Sequence, residues 1–316
     1  MSDRSFQQAF NAIFHSESEF STFCEFKLEG EVKPFTINGR QIYPAPKSLK
    51  RYLKFIDKVI LRYLAKNEGV VHSFVKGKST LTAVQAHAFN KYFFITDIQD
   101  FYFNIKTNDV RSILNRDRHL IPISDFGNYI ELVTRLTTFD GVVPVGFPTS
   151  PQLSNAFLYE FDSSLKKYCD ERALTYTRYA DDIIVSGESY EVLSELKDVV
   201  QAILIEFASP DFLLNPNKTR ITQLGNKVKI LGLVIMPNGR ITIDSKYKSI
   251  IETLLHFYVS DKEKYEDLLK KTMNGKEQSL FGLLHYARSI DMNYIDKLQK
   301  KYGVYALRTL MEEKKE

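Results

Sequence analysis

Apolar residues at Leu49, Leu53, Ile56, Ile60 and Leu64 recur at steps of three and four, the spacing of one buried helical face. Ser48 is placed to cap that helix, and Lys50, Arg51, Lys54, Lys58 and Arg62 fall on its remaining surface. Ahead of it, residues 40–46 read as a strand entering a turn at Pro44 and Pro46. Residues 91–98 form a short, nearly continuous apolar run and predict a buried strand. Residues 174–179 and 183–186 are two β-branched runs separated only by Ala180-Asp181-Asp182, a hairpin pattern. The proline-framed loop 144–151 leads into a helix that turns Leu153, Ala156, Phe157, Phe161 and Leu165 inward. A further helix is expected over 189–207, then the loop Asn215-Pro-Asn-Lys218, a strand over 229–236 and a turn at Pro237-Asn-Gly239. From about Ser245 the pattern is helical and basic: two or three helices, reaching Lys271, then 280–289, then 294–310. The terminal Glu-Glu-Lys-Lys-Glu is expected to fray.

Composition narrows the class. The chain has 316 residues, 44% hydrophobic and 26% charged, enough for a substantial core and too apolar for bulk disorder. Its longest nearly apolar stretch, 230–236, is far too short to span a bilayer. The first residues lack the basic patch and apolar run of a signal peptide. Two cysteines, Cys24 and Cys169, are too few for a disulfide framework or a cysteine-based zinc site. A cytoplasmic setting is the expectation. The net charge of +4 permits a polyanionic partner without requiring one. With 18 Tyr and 23 Phe the chain has rings that can stack bases, although most belong in a core.

Three acids change the picture. Asp97 ends the apolar run Phe93-Phe-Ile-Thr, and Asp181 and Asp182 sit at a hairpin tip. Carboxylates leaving a buried strand need a neutralising partner. If the strand lies beside the hairpin, the three converge, and such an oxygen cluster suits divalent cations completed by phosphate and water. Asp-Asp is also an ordinary turn dipeptide, so the neighbouring motifs decide between the two.

Tyr179-Ala-Asp-Asp182 resembles the catalytic box of reverse transcriptases. The segment 97–105 resembles their first catalytic motif, and Pro144-Val-Gly-Phe-Pro-Thr-Ser-Pro151 with Leu153-Ser-Asn155 resembles the loop and helix between the two. Asn215-Pro-Asn-Lys218 resembles the next motif, Lys229-Ile-Leu-Gly-Leu-Val234 the primer-grip strand, and segments 40–50 and 73–79 the fingers. The order matches over about residues 35–305. The length, and the ending Leu298-Gln-Lys-Lys-Tyr-Gly303, are similar to the bacterial retron type. Two retron hallmarks are eroded: only His87 survives of an Asn-Ala-x-x-His motif, and only Gly232 of a Val-Thr-Gly motif. Val145 stands where many reverse transcriptases carry Gln.

The resemblance implies an α+β right-hand polymerase: fingers and palm over 1–240, the palm mainly 91–106 and 140–236 as an antiparallel sheet with helices, and a helical thumb over 241–316. Asp97, Asp181 and Asp182, with the Ile98 carbonyl, would hold two Mg²⁺ ions, Mn²⁺ being the alternative. Tyr102 matches the steric gate against ribonucleotides, or is a core tyrosine. Arg40 matches a triphosphate contact, and Gly146 and Phe147 the nucleotide floor, with Phe147 equally readable as packing. Lys218 is either a general acid for pyrophosphate or an ion-pair partner. Lys76, Lys78, His87, Lys246, Lys248, Lys270, Lys271, Lys276, Lys297, Lys300, Lys301 and Arg308 are candidate nucleic-acid contacts, each also readable as solvated or structural. The implied partners are dNTPs, a cognate structured non-coding RNA, its single-stranded DNA product and a separate effector protein of a defence system. The implied reaction copies part of that RNA from an internal guanosine 2′-hydroxyl into branched RNA–DNA, serving antiphage defence. A protein-primed or untemplated polymerase and a catalytically idle RNA-binding scaffold remain open.

Overall fold

The computed structural model describes residues 4–15, 17–37, 39–225, 227–273 and 277–312. Lys276 and the last four residues of the chain lie outside them. The strands are β1 (Phe35–Ile37), β2 (Arg40–Ile42), β3 (Tyr92–Asp97), β4 (Thr175–Tyr179), β5 (Asp182–Gly187), β6 (Arg220–Gln223), β7 (Val228–Ile230), β8 (Leu233–Ile235) and β9 (Ile241–Ile243). Two compact units emerge, 1–79 with 94–221 and 80–93 with 222–316. This split differs from the expected division of fingers and palm from thumb at 241. β7, β8 and β9 pair only with one another in a three-stranded sheet, and the segment 80–93 belongs to their unit.

β3, β4, β5 and β6 form one sheet in the order β4-β5-β3-β6. β3 is buried along almost its whole length, as its Phe-Phe-Ile-Thr core demands. β4 and β5 are antiparallel, with Thr175 opposite Ser186 and Tyr179 opposite Asp182. That register leaves Ala180 and Asp181 as a two-residue turn, with Ala180 at φ 56°. Helices Ser150–Phe157 and Tyr159–Asp170 follow the proline loop, the first opened by a proline in its first turn. The expected helix over 189–207 is two, Tyr190–Ser194 and Leu196–Phe207. Helix Lys47–Val59 buries Leu49, Tyr52, Leu53, Phe55 and Ile56. Its N-cap is Pro46 rather than Ser48, with no capping side chain. Phe6, Phe10, Phe14 and Phe23 pack on Phe55 and Tyr52, which is where much of the phenylalanine content goes.

In the second unit the single strand expected over 229–236 is a hairpin. Leu231 and Gly232 have φ 50° and 77°, the two positive values of a tight turn, and Ile230 pairs with Leu233. The basic C-terminal region carries five helices among the described residues, not two or three: Ser245–Ser260, Lys262–Met273, Glu277–Ile290, Met292–Tyr302 and Val304–Glu312. Two of the additional breaks fall at Asp261, an extended C-cap, and at Gly303, whose φ of 95° ends the preceding helix.

Candidate active site

β3 and the β4–β5 turn deliver three carboxylates to one place. The Ile98 amide donates to the Asp181 carbonyl at 3.1 Å, and the Asn215 amide donates to the Asp97 carbonyl at 2.9 Å. The end of β3 is therefore stitched on one side to the turn and on the other to the Asn215 loop. Burial, with the charges of Asp181 and Asp97 adding, lifts the Asp182 carboxyl to about 6. Burial and Asp97 likewise raise Asp181, opposed by Lys218 and Arg40. The mutual repulsion shows that the three acids share a common field. Lys218 reaches in from the Asn215 loop and pairs with Asp97 Oδ2, an interaction that raises the lysine's own pKa. Asp97 Oδ1 is buried without a hydrogen-bond partner.

The hairpin is held from behind by a buried polar network. Arg178 is fully buried and forms two hydrogen bonds to Asp162, at 2.7 and 2.6 Å. The Tyr176 hydroxyl donates to the same carboxylate at 2.7 Å. Arg178 also donates to Asn155 Oδ1 and to the Ala180 carbonyl, the latter at 2.8 Å. The Ala180 amide donates to Ser73 Oγ at 2.8 Å, and Asn155 donates to the Ser73 carbonyl at 3.0 Å. Both ends of the turn's first residue are thus fixed. Sequence reasoning missed Arg178 and Asp162, and gave no role to Asn155 or Ser73 within the motifs that contain them. The available signal was Arg178 itself, a charge two residues from Tyr176 and on the same face of an apolar strand.

Gly146 is pressed against β2 and the residue after it. A Cβ there would sit 2.7 Å from the Tyr43 carbonyl, and its φ is 114°. The Tyr43 amide donates to the Val145 carbonyl at 2.8 Å. This contact carries the β1–β2 hairpin to the site, where Arg40 acts on Asp181. Phe147 is 2% exposed and packs in the core. Tyr102 is half-buried beside Ser154 and Asp181, and burial raises its pKa. Arg220, also unforeseen, offsets the charge on Asp182.

The cation candidates divide. Lys76 is exposed, whereas Lys78 is folded back on the Glu68 carbonyl. His87 is fully buried. Lys246, Lys270, Lys271, Lys297, Lys300 and Arg308 are exposed. Lys248 lies 4.9 Å from the Tyr294 ring centre, and Lys301 pairs with Glu252 at 3.1 Å. Among the described residues no three His, Cys, Asp or Glu side chains form a ready-made metal cage.

Residues 39–235 match the family model described as reverse transcriptase (RNA-dependent DNA polymerase). The chain belongs to the reverse transcriptase family. This reverse transcriptase is 32% identical over 244 residues to the retron Ec73 reverse transcriptase of Escherichia coli, covering 73% of each chain. It is 26% identical over 244 residues to the retron Ec83 enzyme of the same species, covering 75% of each chain. It is 26% identical over 271 residues to the retron Ec86 enzyme, again of Escherichia coli, covering 84% of this chain and 78% of that one. These relatives make it a reverse transcriptase of the bacterial retron type, and its α+β architecture is the right-hand polymerase fold. No helix among the described residues is long and apolar enough to cross a membrane.

Proposed function

We propose that this reverse transcriptase copies part of a cognate structured RNA into single-stranded DNA. On this reading an internal guanosine 2′-hydroxyl primes the copy, the product stays joined to the RNA as a branch, and the system serves antiphage defence with a separate effector. The observation that carries the polymerase assignment is the meeting of Asp97, Asp181 and Asp182 in one field beside Lys218 and Arg40. The priming and the RNA partner rest on the similarity to the retron enzymes.

The residues fit a hard divalent cation, as reverse transcriptases generally use, and Mg²⁺ is the proposed one. The donors are oxygen atoms, Asp97 Oδ1 is buried and unpartnered, and burial with the charges of Asp181 and Asp97 lifts the Asp182 carboxyl to about 6. Asp97, Asp181, Asp182 and the Ile98 carbonyl would hold two such ions, which would lower the pKa of the primer hydroxyl and offset the phosphate charge. Arg40 clamps the triphosphate with its planar fork. The Tyr102 ring fills the space a ribose 2′-hydroxyl would need, selecting deoxynucleotides. Lys218 is held in its charged form by Asp97, which suits neutralising pyrophosphate better than giving up a proton. Residues 1–240 supply fingers and palm, and the helices from Ser245 the thumb, whose exposed lysines meet phosphates.

Two measurements test this. Asp181→Asn should cut DNA synthesis on a primed RNA template by roughly a thousandfold, several kcal/mol of lost charge stabilisation, with the melting temperature not lowered. Full synthesis by the variant would sink the carboxylate assignment. DNA copurifying from the native locus should be freed from RNA by ribonuclease and not by protease. Release by protease would replace the retron priming with protein priming.

A further inference from the structure

Phe74 combines two features that a structural residue avoids. Its φ is 57°, a region costly for a bulky side chain, and 45% of its surface is exposed. The ring therefore gains little burial in return for its backbone strain. Strain of this kind persists only where the surroundings impose it, and here they do. The His72 amide donates to the Arg178 carbonyl at 2.8 Å. Ser73 accepts from Ala180 and from Asn155. The Phe74 carbonyl accepts from Gln152 Nε2 at 3.1 Å. Residues 72–74 are thus tied to the strand and turn that carry Asp181 and to the helix after the proline loop. Two residues further on, Lys76 stands exposed before the turn at Gly77, whose φ is 79°.

We propose that Phe74 is a stacking platform for an unpaired template base, with Lys76 on the adjoining phosphate. An aromatic face next to a cation is the unit that holds single-stranded nucleic acid. A lone ring can stack only on a base face left open, and in a primer–template the overhanging template strand supplies those faces. The hydrogen bonds set the platform at a fixed distance from Asp181, which would register the incoming template base against the reacting groups. This inference rests on the polymerase reading.

The test is equilibrium binding of the full chain to a primer–template with a 5′ template overhang and to the blunt duplex of the same sequence. Phe74→Ala should weaken overhang binding by roughly 5- to 150-fold, the equivalent of ~1–3 kcal/mol of stacking, and leave blunt-duplex binding unchanged. Phe74→Trp should retain it. Phe74→Asn separates stacking from structure, because Asn tolerates positive φ. It should melt at or above the wild-type temperature yet lose as much overhang affinity as the alanine variant. Unchanged overhang binding in the alanine and asparagine variants, or equal losses on both substrates, would overturn the proposal. Normal overhang dependence without any nucleotide incorporation by the wild type would instead sink the polymerase reading and leave the platform standing.

Discussion

Two ion pairs flank the candidate β4–β5 hairpin, and they are built on opposite terms. Behind it, Arg178 and Asp162 are both 0% exposed, and Tyr176, Asn155 and the Ala180 carbonyl take up the remaining hydrogen-bonding capacity. In front, Asp97 is 4% exposed against 49% for Lys218, and one Asp97 oxygen has no partner. A buried charge pair is tolerated when its geometry is good and its leftover groups are satisfied. The rear pair meets that condition and can only hold. The front pair does not: it leaves one Asp97 oxygen unmet beside a half-exposed lysine, the kind of imbalance that marks a candidate reacting site. The difference separates a satisfied ion pair anchored on β4 from an unsatisfied one at the end of β3.

Breaking the two pairs should give the largest contrast. Arg178→Met leaves Asp162 buried without its counter-charge, so a loss of about 3–5 kcal/mol is expected, together with loss of DNA synthesis. Lys218→Met removes a half-exposed partner and should cost about 1 kcal/mol or less. Chemical denaturation measures both. The double variant Arg178→Met with Asp162→Leu sharpens the point. It should recover most of the stability, because a hydrophobic replacement of a buried pair is often neutral. Synthesis should not recover, since nothing then holds the Ala180 carbonyl. Recovery of synthesis along with stability would show that the network matters only for folding.

The same two sides should respond to pH with opposite sign. Burial, with Asp181 and Asp97 adding, raises Asp182 from 3.8 to about 6. The folded chain binds that proton more tightly than the unfolded one. Its stabilising effect is complete below the unfolded value and is lost as pH rises through about 6. On the other side, burial and then the charge of Lys78 lower His72 from 6.5 to about 4. Its effect is complete above 6.5 and is lost as pH falls through about 4. Between these values the two slopes oppose each other in the wild type. Melting curves in chelator should separate them. Asp182→Asn should show a stability advantage at neutral pH that fades on acidification, whereas His72→Gln should improve relative to the wild type as pH falls. Parallel curves for the wild type and both variants would refute the assignment.

How much of this was legible in the sequence follows from the same contrast. Asp97, Asp181 and Asp182 stood out because charges at the ends of apolar strands violate the local pattern. β3, β4 and β5 were readable from their β-branched and aromatic runs. The rear network was not, because Asp162 lies in an otherwise ordinary amphipathic helix and meets Arg178 only through tertiary packing. The break of 229–236 into β7 and β8 was hidden by its unbroken apolar run, in which Leu231 gives no turn signal ahead of Gly232. His87 was a candidate through its place in the eroded Asn-Ala-x-x-His motif, and packing buries it.

The smallest expected effect lies at the junction of the two sides. Ala180 holds φ 56° with its amide and carbonyl both bonded to the rear network. An L-residue in that region carries a penalty of roughly 1–2 kcal/mol. Ala180→Gly removes it but adds freedom to the unfolded chain, worth about 0.4–1 kcal/mol in the other direction. The net expectation is a gain of roughly 0.5 kcal/mol in denaturation midpoints. Because Ser73 and Arg178 fix both polar groups of the residue, the added freedom should not reach Asp181. Synthesis should therefore fall by no more than about twofold, less than 0.5 kcal/mol on the barrier. A much larger fall with stability intact would mean that the alanine methyl, and not the hydrogen bonds from behind, sets where the front carboxylates point.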